Sequence, residues 1–307
     1  MSTIVPFIQM HHAGLSPEGR PVGVFLLLGP TGTGKTRTVE ALAEVLHGSA
    51  RNILKIDCGE FHLEHEVAKL IGAPPGYLGH RETHPLLTQS RLTSVTSRYS
   101  DLSIVLFDEI EKAAPSMHRL LLGVLDKATL RLGDNTAVNF ERSLIFLTSN
   151  LGAAGMMKAL DRDFGFGGSA KSRDTQARTL ESLAMSAVRR HFSPEFVNRI
   201  DSTITYEPLS EAILTRILDL QINELQNHID RRLGDRSIQL EVRPGGRRFL
   251  LEKGSSAHYG ARHMRRTLQQ HVMHPLAAAV LRGDVPYGGV VRVDYSKKSD
   301  RLILKAA

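Results

Sequence analysis

The stretch Gly29-Pro30-Thr31-Gly32-Thr33-Gly34-Lys35-Thr36 has the spacing G-x-x-x-x-G-K-T and carries the most specific chemistry in the chain. It follows the apolar run Val22 to Leu28 and precedes a segment whose apolar residues Val39, Leu42, Ala43 and Leu46 recur at helical spacing. Strand, glycine-rich loop and helix, in that order, gather unpaired backbone N–H groups and the positive end of a helix dipole around a polyphosphate. In that setting Lys35 reaches the β- and γ-phosphates of a nucleoside triphosphate and the Thr36 hydroxyl ligates Mg²⁺. A second motif, Ile104-Val105-Leu106-Phe107-Asp108-Glu109, is an apolar strand ending in two carboxylates. Asp108 can hold Mg²⁺, and Glu109 can orient and deprotonate an attacking water, so the pair points to hydrolysis. A third run ends Leu147-Thr148-Ser149-Asn150, where an amide can bond the γ-phosphate or the water; alone, Ser-Asn is also ordinary turn chemistry.

These motifs need a sheet to bring them together. Apolar runs at Val22–Leu28, Ile53–Ile56, Ile104–Phe107 and Leu144–Leu147, with a weaker one at Thr203–Tyr206, are separated by helical or glycine-rich sequence. Runs apolar on both faces suit strands buried between two helical layers. The fold class is therefore α/β, a doubly wound parallel sheet of five strands with ligands at its carboxyl edge. Near Pro208-Leu209-Ser210 the pattern changes. Ser210 is placed to cap a helix with a stripe at Leu214, Leu218, Ile222, Leu225 and Ile229. An alternating strand (Ile238, Leu240, Val242), a helix through Met264 and Leu268, a break at Pro275 and strands at Val290–Val293 and Leu302–Leu304 follow. Residues 1–208 thus read as the large domain and 209–307 as a small α+β lid.

Composition excludes several classes. With 41% hydrophobic and 23% charged residues among 307, the chain has the make-up of a soluble globular protein. Its longest apolar run is about seven residues against the ~20 that span a bilayer, and no secretory leader is legible, so the expectation is a cytoplasmic protein with no membrane role. One cysteine, Cys58, permits no internal disulfide and reads as a buried, inert thiol. The net charge of +7 raises nucleic acid as a partner. The basic residues are scattered in pairs such as Arg189-Arg190 and Arg247-Arg248, without interleaved aromatics, which describes solvated faces better. Histidines at 62 and 65, and at 80 and 84, have spacings open to a metal but flank glutamates and read as solvated.

Longer stretches resemble a known family. Ala13–Pro17, Gly72-Ala-Pro-Pro-Gly-Tyr-Leu-Gly79, Phe107–Ala113, Leu147–Gly152, Ser193-Pro-Glu-Phe-Val-Asn-Arg-Ile-Asp201 and Gly260-Ala-Arg262 occur in the order seen in the AAA+ ATPase module of Clp-family protein unfoldases and disaggregases. The likeness is greatest to the second ATPase module of ClpB-like and ClpC-like members. It implies a P-loop AAA+ fold, ATP hydrolysis with Mg²⁺ in a cleft between the two domains, and a homo-hexameric ring acting on unfolded or tagged proteins. By the same resemblance Asn150 is the sensor-one residue, Arg262 the sensor-two arginine and Arg199 the finger offered to a neighbouring subunit's ATP. Without it, Arg199 and Arg262 read as surface cations. Gly76-Tyr77-Leu78-Gly79 resembles the family's axial pore loop, an aromatic and an aliphatic side chain between two hinge glycines, suited to gripping a translocating polypeptide. Phe164-Gly165-Phe166, expected in a flexible loop, resembles the tripeptide by which some members dock a Clp-type peptidase. The phosphate loop begins only at residue 29, so the N-terminal segment that packs on adenine is expected to be shortened. Two other functions stay open on these residues: a nucleic-acid-acting AAA+ motor or loader, and a nucleotide-switched scaffold.

Overall fold

The computed structural model describes residues 3–73, 84–165, 173–255, 260–296 and 300–306, with 160–165, 173–174 and 260 described by backbone alone. Contacts divide the chain into two compact units, Met1–Gly29 with Gly34–Glu207, and Pro208–Ala307 with Pro30–Thr33.

The strands of the first unit, in chain order, are β1 (Gly23–Leu28), β2 (Leu54–Asp57), β3 (Ser103–Asp108), β4 (Thr129–Arg131), β5 (Ala137–Asn139), β6 (Ser143–Ser149) and β7 (Ser202–Thr205). Five of them form one sheet of order β2-β3-β6-β1-β7, with every neighbouring pair parallel. The three inner strands are buried at every position, while β2 at the edge alternates buried and exposed. That contrast follows from layering: inner strands are covered on both faces, so that even the polar residues at their ends, Ser103, Asp108, Ser143, Thr148 and Ser149, are buried. Val24, Leu26, Leu28, Val105, Phe107, Ile145 and Leu147 share one face with Met117, Leu121 and Val124 of helix Pro115–Lys127. Phe25, Leu27, Ile104, Leu106, Leu144 and Phe146 share the other with Val39, Leu42 and Ala43 of helix Lys35–His47. Ile4 and Ile8 join that second core through helix Val5–His12, an element too short to read from its sequence. The antiparallel pair β4–β5 was equally illegible, because three-residue strands carry no periodicity.

The second unit opens with helix Glu211–Leu233, whose Leu218, Ile222 and Ile229 are buried as the stripe requires. Ser210 occupies the N-cap position with extended backbone, but its side chain makes no capping hydrogen bond, contrary to expectation. Strands β8 (Gln239–Val242), β9 (Val290–Ser296) and β10 (Arg301–Ala306) form a sheet of order β10-β9-β8, with β8 and β9 parallel and β9 and β10 antiparallel. Helix Pro244–Gly254 was not foreseen, since Pro-Gly-Gly reads as a turn. Proline is tolerated in a first helical turn, and a Cβ at Gly246 would lie 2.8 Å from the Val293 carbonyl oxygen, so the glycine permits close packing on β9. The break expected at Pro275 is absent. Helix Gly260–Leu268 runs through a π-turn, Gln269–Met273, into helix His274–Arg282, with Pro275 in the first turn of the last segment. The wider turn accommodates the proline ring and its missing N–H without ending the helix. Among the described residues no helix is long and apolar enough to cross a membrane.

Candidate active site

Three motifs converge because their strands are consecutive in the sheet. Gly29 follows β1, Asn150 follows β6 and Asp108 ends β3, and all three strands point the same way. In the phosphate loop Gly29, Gly32 and Gly34 have φ of 146°, 77° and 104°, a region that side chains other than glycine rarely enter. At Gly29 a Cβ would also lie 2.4 Å from the Tyr206 carbonyl oxygen. Thr33 Oγ1 donates to the Pro30 carbonyl at 2.8 Å. Helix Lys35–His47 starts with Gly34 at its N-cap, without a side-chain cap and without an acidic residue in its first turn. Its N-terminal N–H groups and dipole therefore suit a polyanion. Thr36 is half-buried at this start. Tyr206 ties the helix to the sheet: its hydroxyl donates to Thr38 Oγ1 at 2.7 Å and its N–H to the Leu28 carbonyl at 2.7 Å.

Lys35 is buried, and its Nζ donates to the Gly29 carbonyl at 2.7 Å and to Asn150 Oδ1 at 2.9 Å. The other end of the same amide, Asn150 Nδ2, donates to Glu109 Oε1 at 3.4 Å. One side chain thus bridges the loop cation and the second carboxylate. Asp108, buried, accepts from Thr148 Oγ1 at 2.5 Å on one oxygen and pairs with Lys55 Nζ at 2.7 Å on the other. Thr148 Oγ1 also accepts the Glu109 N–H at 2.9 Å, where Glu109 turns out of β3 with φ 57°. Glu109 Oε2 pairs with Lys112 Nζ at 2.5 Å, and that hydrogen bond and charge hold the lysine above its ordinary range. Glu111 Oε1 accepts the Asn150 N–H at 3.0 Å. Thr36 and Asp108 supply hard oxygen donors of the kind Mg²⁺ takes, so this donor set fits the metal. Cys58 is buried, and burial, followed by the nearby carboxylates, pushes its thiol far above the range of a reactive one.

Arg199 is not among the residues gathered here. Arg199 lies in the first unit, where its Nη1 pairs with Asp126 at 2.8 Å. Arg262 is exposed in the first turn of helix Gly260–Leu268 in the second unit. Gly76, Tyr77, Leu78 and Gly79 lie outside the described residues. Phe164 and Gly165 close helix Ala153–Gly165 instead of standing in a loop, because Met156 and its neighbours continue a helical register; Phe166 lies outside the described residues. Sequence reasoning missed Thr148, Lys55, Lys112, Glu111 and Asp126. Only the i,i+3 spacing of Glu109 and Lys112 carried a local signal; the others meet partners on elements distant in the chain.

Comparison with known proteins places the chain in a family. Residues 20–203 match the model for the AAA domain (Cdc48 subfamily), and residues 209–293 match that for the C-terminal, D2-small domain, of ClpB protein. The chaperone protein ClpB of Corynebacterium diphtheriae is 37% identical over 300 residues, 98% of this chain and 31% of that one. Its counterpart in Rhizobium meliloti is 39% identical over 298 residues, 97% of this chain and 32% of that one. The chain therefore spans about a third of the length of these curated relatives. A chain of Hsp104, solved by electron cryo-microscopy in a closed state with ATPγS and FITC casein, superposes with a TM-score of 0.80 at 26% identity, covering 99% of this chain and 48% of that one. Carrying that domain model over most of its length and the D2-small model behind it, the chain belongs to the AAA family, with a small domain of the ClpB type.

Proposed function

We propose that the chain is an ATP-hydrolysing protein-remodelling module, an unfoldase or disaggregase that works as a homo-hexameric ring in the cytoplasm. The observation that carries this reading is the Asn150 amide, bonded to Lys35 on one side and Glu109 on the other. With Lys35 as the phosphate cation and Glu109 as the base, the two share one support. The loop from Gly29 to Thr36 takes the phosphates of ATP on backbone N–H groups and on Lys35. Thr36 and Asp108 would hold Mg²⁺, which neutralises charge on the β- and γ-phosphates when bound. Glu109 accepts a proton from the attacking water as the water oxygen bonds to the γ-phosphorus. The bond to the β-phosphate oxygen breaks, and ADP leaves with that electron pair. Asn150 orients the water, Arg199 reaches a neighbouring subunit's γ-phosphate, and Arg262 serves as the sensor-two arginine. Tyr77 and Leu78, between Gly76 and Gly79, grip the polypeptide. Protein as the substrate is supported by the relatives, chaperone proteins ClpB, and by Hsp104 solved with casein.

The test is ATP turnover per chain from nanomolar to micromolar protein, with and without an unfolded polypeptide. Turnover rising with protein concentration and stimulated by the polypeptide is the expected result. A rate independent of concentration and insensitive to polypeptide would overturn the reading, and stimulation by DNA that fades with salt would favour a nucleic-acid motor.

A further inference from the structure

Arg199 is held before any neighbour arrives. Its backbone is anchored on both sides: Phe196 is buried, the Ser193 side chain caps the turn by accepting the Phe196 N–H, and Asp201 brackets β1. Asp201 Oδ2 accepts the Val24 N–H at 2.8 Å, and the Asp201 N–H donates to the Val24 carbonyl at 2.9 Å. Only the long arginine side chain is left to be oriented, and Asp126 Oδ1 does this at 2.8 Å from Nη1. Asp126 stands in the last turn of helix Pro115–Lys127, whose Leu121, Val124 and Leu125 are packed in the core, so the carboxylate sits on a rigid platform. Among the described residues Arg199 has no second partner, which leaves most of the five guanidinium donors for an incoming ligand. The side chains are 41% and 31% exposed, an environment in which an ion pair orients more than it locks.

We infer that Asp126 is a positioning residue for hydrolysis at the neighbouring subunit: it pre-sets the Arg199 side chain so that a γ-phosphate meets an already ordered guanidinium. The inference rests on the reading of Arg199 as a finger acting in trans. Ordering a free arginine at the moment of reaction costs rate, since each 1.36 kcal/mol is a factor of ten. Asp126→Asn keeps the shape and removes the charge; Asp126→Glu keeps the charge.

The experiment compares Asp126→Asn, Asp126→Glu, Arg199→Ala and the double variant Asp126→Asn/Arg199→Ala. It measures kcat and KM for ATP at saturating protein, binding of a fluorescent ADP analogue, thermal stability, and assembly with ATPγS by sedimentation. Arg199→Ala should lose about 10³-fold or more in kcat. Asp126→Asn should lose roughly tenfold in kcat with KM, ADP binding, stability and assembly unchanged. Asp126→Glu should recover most of that loss, and the double variant should be no slower than Arg199→Ala. A native rate in Asp126→Asn beside a dead Arg199→Ala would overturn the role of Asp126 and leave the finger standing. So would a rise in kcat, or a loss matched by lost assembly or stability. A native rate in Arg199→Ala would instead sink the finger itself.

Discussion

At the scale of single residues, Lys35, Asn150 and Glu109 form a chain of contacts in which each member has a separable task. Lys35 touches the phosphates of bound ATP in our proposal, whereas Glu109 acts on the water alone. Lys35→Ala should therefore abolish nucleotide binding, and Glu109→Gln should bind ATP normally and turn it over at least about 10²-fold more slowly. Equilibrium binding and single-turnover hydrolysis separate the two; equal loss of affinity in both variants would show the roles to be wrongly assigned. Thr148 makes a different kind of contribution. Its buried hydroxyl donates to Asp108 and accepts from the Glu109 N–H, fixing the Asp108 carboxylate and the Glu109 backbone to β6. Thr148→Val conserves the volume but removes one hydrogen bond from the buried Asp108 and another from the Glu109 N–H, so it should cost about 1–3 kcal/mol of unfolding free energy in urea. Thr148→Ser, which restores the hydroxyl, should recover most of that stability.

At the scale of elements, helix Pro115–Lys127 is packed through a histidine whose charge state matters. His118 Nε2 donates to the Ile110 carbonyl at 2.9 Å and its ring stands edge-on to Phe192, with His191 beside it. Burial, the largest influence, holds His118 below its ordinary value of 6.5, and the His191 ring adds to this. The folded state therefore takes up the proton less readily than the unfolded chain, and stability present above about pH 6.5 is lost as the pH falls below it. The urea midpoint should drop between pH 7.5 and 5.5, and His118→Gln should flatten that slope; an unchanged slope in the variant would exclude His118 as its source. Elements whose own residues carry the pattern were legible beforehand. The continuous apolar runs of β1, β3 and β6 could only be buried strands, and the loop spacing could only sit between strand and helix. Helix Pro244–Gly254 and the uninterrupted passage through Pro275 were not legible, because their local signals say turn and stop and only tertiary packing overrides them. In the site, spacing along the chain exposed Lys35, Asp108 and Glu109. Thr148, Lys55 and Asp126 stayed hidden because their partners lie on other elements, and no local pattern records a cross-strand contact.

At the scale of the whole molecule, the proposal requires that one chain be incomplete. Glu109 and Lys35 belong to the same set of contacts, while Arg199 is tethered to Asp126 and touches none of Lys35, Asp108, Glu109 and Asn150 among the described residues. If each ATP is served by its own Glu109 and by Arg199 of the next subunit, the interface is heterologous and closes as a ring. Two inactive variants should then complement one another. Chains carrying Arg199→Ala keep their own Glu109 but offer nothing to the neighbour, and chains carrying Glu109→Gln do the reverse. An equal mixture, allowed to exchange subunits, places an intact Glu109 against an intact Arg199 at about one site in four, so hydrolysis should return to roughly a quarter of the native rate if the sites act independently. The measurement is steady-state ATP turnover of each variant alone and of the mixture at constant total protein. If Arg199 served the ATP bound to its own chain, no mixture could pair the two intact residues, and the mixed sample would stay as inactive as its components.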